Sequence, residues 1–252
     1  MDQANTLRKL LGQGRTHIAP VMGDMKLDYA ACLMRLVLEH QASLGHVAVV
    51  FDGSHLGLAN ALGNPSRLDL LNFFNGHASL EDVVLQLGER QYLVPATLGL
   101  QALTQRPAWA RALLGNLHRL PVTADRFYAT LPYEAVTLAQ GLSAGETWYW
   151  VVHPTASSVT RVFQALRTSK EVDQNIRHRV IVAGVKNADE ADHVFANLLE
   201  STSGFWSQAL QYAGHMPALS AGRPLSQVSR DVIVAARRIA RAIGSHEEHA
   251  LA

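Results

Sequence analysis

Lys26 follows a short apolar run, with Gly23, Asp24 and Asp28 around it. A lysine at a helix start can hold an anion, although a solvated lysine is the simpler role. Asp52 closes the run Val47-Ala48-Val49-Val50-Phe51. That places a carboxylate at the face where open α/β sheets bind their ligands. It can hold a metal-bound water there, or cap the turn that follows through Gly53 and Ser54. With no partner acid beside it, the cap is the simpler role. Near the start, Gln3 and Arg8 bring a neutral amide and a cation. Those two groups can align a water and offset charge during phosphoryl transfer.

Other reactive side chains read as structural. Twelve histidines are scattered along the chain, and only His246 and His249 are closely spaced. A His-x-x-His pair without a further cysteine is not a metal site, so no metal is assigned. Cys32 lies among apolar helix positions with no base nearby and reads as a packed thiol. Ser157 and Ser158 sit in no nucleophile elbow, so serine hydrolase chemistry has no support.

The composition bounds what can surround these groups. The chain has 252 residues, of which 48% are hydrophobic and 17% charged, enough for a sizeable core. A formal net charge of +1 offers no strong field to recruit nucleic acid or an anionic membrane. The single cysteine excludes an internal disulfide framework and a multi-cysteine zinc site. No apolar run reaches the roughly 18 residues of a membrane-spanning helix. Met1-Asp2-Gln3 carries no basic region ahead of an apolar stretch, so no signal peptide is expected and the compartment expected is the cytoplasm.

The elements that must position these residues follow from periodicity. Residues 1–12 predict a helix, capped by Asp2, with Ala4, Leu7, Leu10 and Leu11 on one face. Gly12-Gln13-Gly14 ends it as a linker. Strands are expected at 16–22, 47–51, 91–95, 127–131, 148–152, 179–185 and 210–214. Helices are expected at 27–42, 68–75, 80–87, 108–120, 157–167, 189–202 and 229–243. Strands alternating with such helices imply βαβ units, hence a three-layer α/β domain with a mostly parallel, twisted sheet and helices on both faces. The expected organisation is a helix and linker at 1–14, the α/β domain at 15–244 and a tail at 245–252. The last helix combines an apolar side with Arg230, Arg237, Arg238 and Arg241. It reads as a core helix rather than a membrane-surface one, so peripheral membrane contact is not expected.

Two stretches carry a family resemblance. Phe51-Asp52-Gly53-Ser54-His55-Leu56-Gly57-Leu58-Ala59-Asn60, followed by Ala78-Ser79-Leu80-Glu81-Asp82-Val83-Val84 and Leu93-Val94-Pro95-Ala96-Thr97-Leu98-Gly99-Leu100, resembles the MinD/ParA-type deviant P-loop ATPases. The Leu-Gly-Leu-Ala-Asn word is similar to the FlhG/FleN branch, which controls flagellar number. The second stretch, Asp2-Gln3-Ala4-Asn5-Thr6-Leu7-Arg8, matches all five specified positions of that branch's D-Q-A-x-x-L-R helix. In that branch the helix binds the signal-recognition-particle-type GTPase FlhF and stimulates its GTP hydrolysis. His153-Pro154-Thr155 and Gly222-Arg223-Pro224 extend the likeness toward the end of the chain.

The resemblance implies a partner-activating role but not the family's own ATP hydrolysis. A phosphate loop needs several glycines and a lysine followed by Ser or Thr. Here the segment Pro20-Val21-Met22-Gly23-Asp24-Met25-Lys26-Leu27-Asp28 has one glycine, and Leu27 follows the lysine. Asp24 and Asp28 place negative charge where phosphates would sit. Ser54 stands at a second acidic position, the strand at 127–131 brings no acid for magnesium, and Ala183 or Gly184 stands where the family's adenine-recognising Asn falls. The chain thus reads as a pseudo-ATPase with no cofactor, in which Gly23, Lys26, Asp52 and Ser54 are vestiges of a nucleotide site. The partner residues implied are Asp2, Gln3, Ala4, Leu7 and Arg8, facing an FlhF-type GTPase. A flagellar transcription regulator and basal-body switch proteins are further partners, and recruitment to the cell pole would run through them. An active MinD/ParA-type ATPase using ATP and magnesium, or an anti-activator of a transcription regulator, are the alternatives.

Overall fold

The run Ala48-Val49-Val50-Phe51 is apolar at every position and every one of its side chains is fully buried. Such a strand needs cover on both faces, which is the signature of a parallel sheet between two helical layers. The computed structural model describes residues 18–23, 27–53, 57–117, 120, 122–142, 147–170, 176–204, 210–218 and 230–244. In chain order the elements are β1 (Ala19–Gly23), α1 (Leu27–Ser43), β2 (Ala48–Asp52), α2 (Leu58–Ala61), α3 (Leu70–Phe74), α4 (Leu80–Val83), β3 (Leu85–Gly88) and β4 (Gln91–Pro95). Then come α5 (Thr97–Gln105), α6 (Pro107–Asn116), β5 (Arg126–Leu131), a 3-10 turn (Tyr133–Ala135), α7 (Val136–Leu142), β6 (Thr147–Val152), α8 (Ala156–Lys170), β7 (Arg177–Val185), α9 (Ala188–Thr202), β8 (Gln211–Pro217) and α10 (Arg230–Gly244). The strands form one sheet in the order β3-β4-β2-β5-β1-β6-β7-β8. Among the described strands only β3 runs antiparallel, against β4.

Alternation along each strand feeds two cores. Val49, Phe51, Trp148, Trp150 and Val182 face the layer of α3 to α9. Val50, Tyr128, Tyr149, Val151 and Ile181 face α1, α2 and α10. The expected three-layer fold is therefore the observed one. Capping sets several helix starts: Asp69 and Ser79 each form a capping box, with Asn72 and Asp82 respectively. Pro107 occupies the first turn of α6, where a missing N–H is harmless. The apolar side of α10, Val232, Ala236, Ile239, Ala240 and Ile243, is buried, as expected of a core helix. Its end is held by the sheet, where the Arg179 guanidinium donates to the Ala242 carbonyl at 2.8 Å and the Tyr149 hydroxyl to the Ile243 carbonyl at 3.2 Å.

Three expectations change. The helix expected at 80–87 stops at Val83, because Val84 turns extended (ψ 128°) and Leu85–Gly88 joins the sheet edge. Leu85 and Leu87 share the period-2 pattern of a strand, but a window that also covers 80–83 reads as helix. Second, α2, α5 and α7 form where the sequence pattern predicts no helix. Gly99 in α5 suits the close contact with α3, since a Cβ there would stand 2.6 Å from the Leu70 Cβ. Third, the last strand runs to Pro217 rather than ending at Gly214. The helix expected at 1–12, the linker and the tail lie outside the described residues.

Candidate functional site

The sheet order puts a topological switch point at β1. The chain leaves β1 for β2 on one side and returns through β5, then crosses to β6 on the other. Ligands of open α/β sheets bind at the carboxyl ends of the strands flanking such a point. Here those ends are Gly23, Leu131 and Val152, with Asp52 one strand further out at the end of β2. Gly23 ends β1 in register with Val151. Lys26 and Ser54 lie outside the described residues, as do Asp24 and the adjoining His55.

Asp52 is 3% exposed. One carboxylate oxygen accepts the Thr130 hydroxyl at 3.1 Å, and the other accepts the backbone N–H of Leu58, the first residue of α2, at 2.9 Å. Its own carbonyl accepts the Ala96 N–H at 3.0 Å. Asp52 thus links β2, β5 and the start of α2, which is the capping role open to it from its sequence position. Gly57, with φ 68°, supplies the left-handed turn into that helix. Gly53 closes the corner: its N–H donates to the Thr130 carbonyl at 3.0 Å, and a Cβ on it would stand 2.6 Å from that oxygen.

On the other side of β1, the neighbouring strand ends are tied just as tightly. The Tyr133 hydroxyl donates to the Val151 carbonyl and lies 3.3 Å from the Ser158 hydroxyl. Ser158, 5% exposed, accepts the His153 N–H at 3.0 Å. The His153 ring donates Nδ1–H to the Ala183 carbonyl at 2.9 Å, which fixes that tautomer. Thr155 caps α8 by accepting the Ser158 N–H at 3.3 Å. Glu134, just beyond β5, pairs with Arg161 at 2.6 Å. Burial opposes its charge, but the Arg161 hydrogen bond and cation outweigh that and hold the carboxyl below its ordinary range.

A magnesium–nucleotide group can be tested against these donors. Among the described residues, β5 ends in Leu131 and Pro132, and Leu131 is 2% exposed. Asp52 ends β2, one strand removed from β1, and both its oxygens already accept hydrogen bonds within the fold. Ala183, buried on β7, offers only a carbonyl, and His153 engages it. These described strand ends supply no unengaged carboxylate for magnesium.

Thr130, Tyr133 and Ser158 are the anchors that sequence reasoning missed. A threonine inside the otherwise apolar β5 run was the available signal for the first; nothing local marks the other two. Cys32 is 4% exposed, and burial pushes its thiol up to about 11, in keeping with a packed, unreactive sulfur. Among the described residues no three metal-ligating side chains converge, and no helix is long and apolar enough to cross a membrane.

The geometry is that of known proteins. The fold is the one shared by MinD/ParA-type P-loop ATPases. The chain superposes on MinD in the MinC:MinD cell division complex of Aquifex aeolicus with a TM-score of 0.66, at 16% identity, covering 92% of this chain and 96% of that one. It superposes on a plasmid partition protein of Borrelia burgdorferi bound to AMPPNP with a TM-score of 0.66, at 9% identity, over 91% and 99% of the two chains. For the cell division ATPase MinD of Pyrococcus furiosus the TM-score is 0.63, at 12% identity, over 91% and 98%. At these identities the likeness is one of fold. No family model matches the chain, and no curated protein does.

Proposed function

We propose that this protein is a flagellar-biosynthesis regulator of the FlhG type, a pseudo-ATPase that acts through protein contacts. The observation that carries the reading is the sequence Asp2-Gln3-Ala4-Asn5-Thr6-Leu7-Arg8 standing ahead of a MinD/ParA-fold body. The N-terminal segment binds an FlhF-type GTPase and speeds its GTP hydrolysis. Leu7, with Ala4, Leu10 and Leu11, supplies the apolar anchor; a helix this short is marginal alone in water and gains order by docking. Gln3 positions the attacking water and Arg8 offsets charge on the phosphates. Asp2 caps the helix. The body is a scaffold without its own nucleotide switch, a reading supported by the engagement of Asp52 with Thr130 and Leu58 inside the fold. Partners beyond the GTPase, namely a flagellar transcription regulator or basal-body switch proteins, would meet the body, and polar placement would follow from them.

The test is single-turnover GTP hydrolysis by the FlhF-type GTPase with the full chain and with residues 1–12 deleted. Stimulation should vanish with the deletion. Leu7→Asp should abolish binding, because a carboxylate would be desolvated in the groove without a partner. Gln3→Ala should leave binding nearly intact and lower stimulation. Full stimulation by the deleted chain would refute the proposal. The second reading, an active MinD/ParA-type ATPase, is favoured by one observation: a structure with the same fold is bound to AMPPNP. Tight ATP binding by this chain would select it.

A further inference from the structure

Nine asparagines lie along the chain, and Asn75 alone precedes a glycine. That dipeptide carries its own chemistry. The backbone nitrogen of the following residue can attack the asparagine side-chain carbonyl carbon and close a five-membered ring. A side chain on the following residue crowds the attack, and glycine has none. Asn75, Gly76 and His77 are all exposed, at the end of α3. No described residue engages the Asn75 side-chain amide.

The fold turns the reacting atoms away from each other. Asn75 has ψ −1°. The ring would contain Gly76 N with the carbonyl carbon, Cα, Cβ and Cγ of Asn75, so the Cα–Cβ bond must swing into line with the C–N bond. Substituents on a tetrahedral Cα stand about 120° apart in projection, so ψ must rotate by about that angle. The Gly76 N–H donates to the Phe73 carbonyl at 2.9 Å, and the His77 N–H to the Asn72 carbonyl at 2.8 Å. Rotation at ψ breaks both bonds, so the turn must open before the ring can close. Gly76 makes this turn with φ 72°, in the left-handed region that glycine adopts freely. The residue type that closes the helix is thus the one that leaves Asn75 open to attack.

We infer that Asn75 is a site of spontaneous deamidation, gated by opening of the turn that closes α3. Gly76 N gives up its proton and forms a bond to Asn75 Cγ. The bond from Cγ to the side-chain nitrogen breaks, and that nitrogen leaves as ammonia. Water then opens the ring at either carbonyl. Opening at one gives aspartate; opening at the other gives isoaspartate, whose main chain runs through the former side-chain methylene. One water is consumed and one ammonia released, with no oxidant or reductant. Either product adds a carboxylate at the carboxyl end of α3, where the helix already presents unpaired carbonyls. Isoaspartate also lengthens the turn next to Phe74, whose ring stacks on Trp109 with centroids 4.9 Å apart. Modification therefore loosens the contact between α3 and α6. The chemistry is independent of residues 1–12, so the inference stands whether or not the N-terminal segment activates a GTPase.

The test ages the full chain at mildly alkaline pH, folded and in denaturing urea. Mass spectrometry follows the peptide that bears residue 75, and chromatography separates its aspartate and isoaspartate forms. In urea residue 75 should convert before any other asparagine. In the folded chain it should convert at least about tenfold more slowly, because only the locally opened turn reacts. Urea below the unfolding transition should speed it. Asn75→Gln, at an exposed position, should abolish the conversion, since the larger ring closes far more slowly. The aged native chain should melt at a lower temperature than the fresh one, and the aged variant should not. Equal rates in the folded and unfolded chains, earlier conversion of another asparagine in urea, or a folded chain that stays unconverted even in sub-denaturing urea would each overturn the proposal.

Discussion

His178 offers a quantitative test of the packing between β6 and β7. It is 3% exposed, with the Trp148 and Trp150 rings 5.9 and 5.8 Å away. The Trp150 indole N–H donates to His178 Nδ1 at 2.9 Å. An indole nitrogen can only donate, so Nδ1 must keep its lone pair and the ring must be neutral. Protonation there would break that bond and place a cation among indoles. Burial accordingly pushes the ring down to about 3 from its ordinary 6.5. The unfolded chain takes up a proton as pH falls through 6.5, while the folded chain resists until about 3. The stabilisation is therefore whole above pH 6.5 and is lost as pH falls toward 3. The slope reaches about 1.4 kcal/mol per pH unit, so going from about pH 7 to about pH 5 removes about 2 kcal/mol. Against a typical total of about 5–15 kcal/mol, that loss is large. Urea unfolding at the two pH values, on the native chain and on His178→Gln, isolates it. Glutamine can still accept from Trp150 but does not titrate. Other histidines, such as His40, which burial first and then Arg241 and His46 hold below the ordinary value, contribute to both proteins and cancel. The pH-dependent loss should shrink by about 2 kcal/mol in the variant. Equal losses in the two proteins would refute the account of a neutral, indole-bound His178.

Three further outcomes are expected. Asp52→Ala leaves the Leu58 N–H and the Thr130 hydroxyl without their buried acceptor, and should lower stability by about 2–3 kcal/mol in denaturant unfolding while leaving stimulation of the GTPase by the folded chain intact. Gly99→Ala drives a methyl to 2.6 Å from the Leu70 Cβ and 2.9 Å from the Leu71 nitrogen; the backbone of α3 must yield, and a loss of about 1–3 kcal/mol should appear as a lower melting temperature. Calorimetry with ATP and magnesium should show no binding at micromolar ligand, and light scattering should give a mass indifferent to ATP; a micromolar Kd, about −8 kcal/mol, or a doubled mass would restore the ATPase reading.

The layered α/β class and most strand positions were legible because burial on both faces leaves a run such as Ala48 to Phe51 apolar without interruption, a signal that needs no knowledge of the rest of the chain. The core role of the last helix was legible for the same reason, from one apolar side at helical spacing. The proposal that Asp2 to Arg8 engages a partner rests on sequence alone. What the sequence could not decide was anything that depends on chain neighbours far apart in number. Leu85–Gly88 becomes a strand because Gln91–Pro95 lies beside it, whereas its local pattern merges with the preceding helix. The end of β2 depends on residues 78 positions apart: Asp52 was visible, but only folding shows Thr130 donating to it while Leu58 starts a helix on its other oxygen. His178 looks like any other histidine until β6 and β7 align and place an indole N–H against its ring. Local patterns report burial and period; which donor meets which acceptor is set by strand register, and register exists only once the sheet has formed.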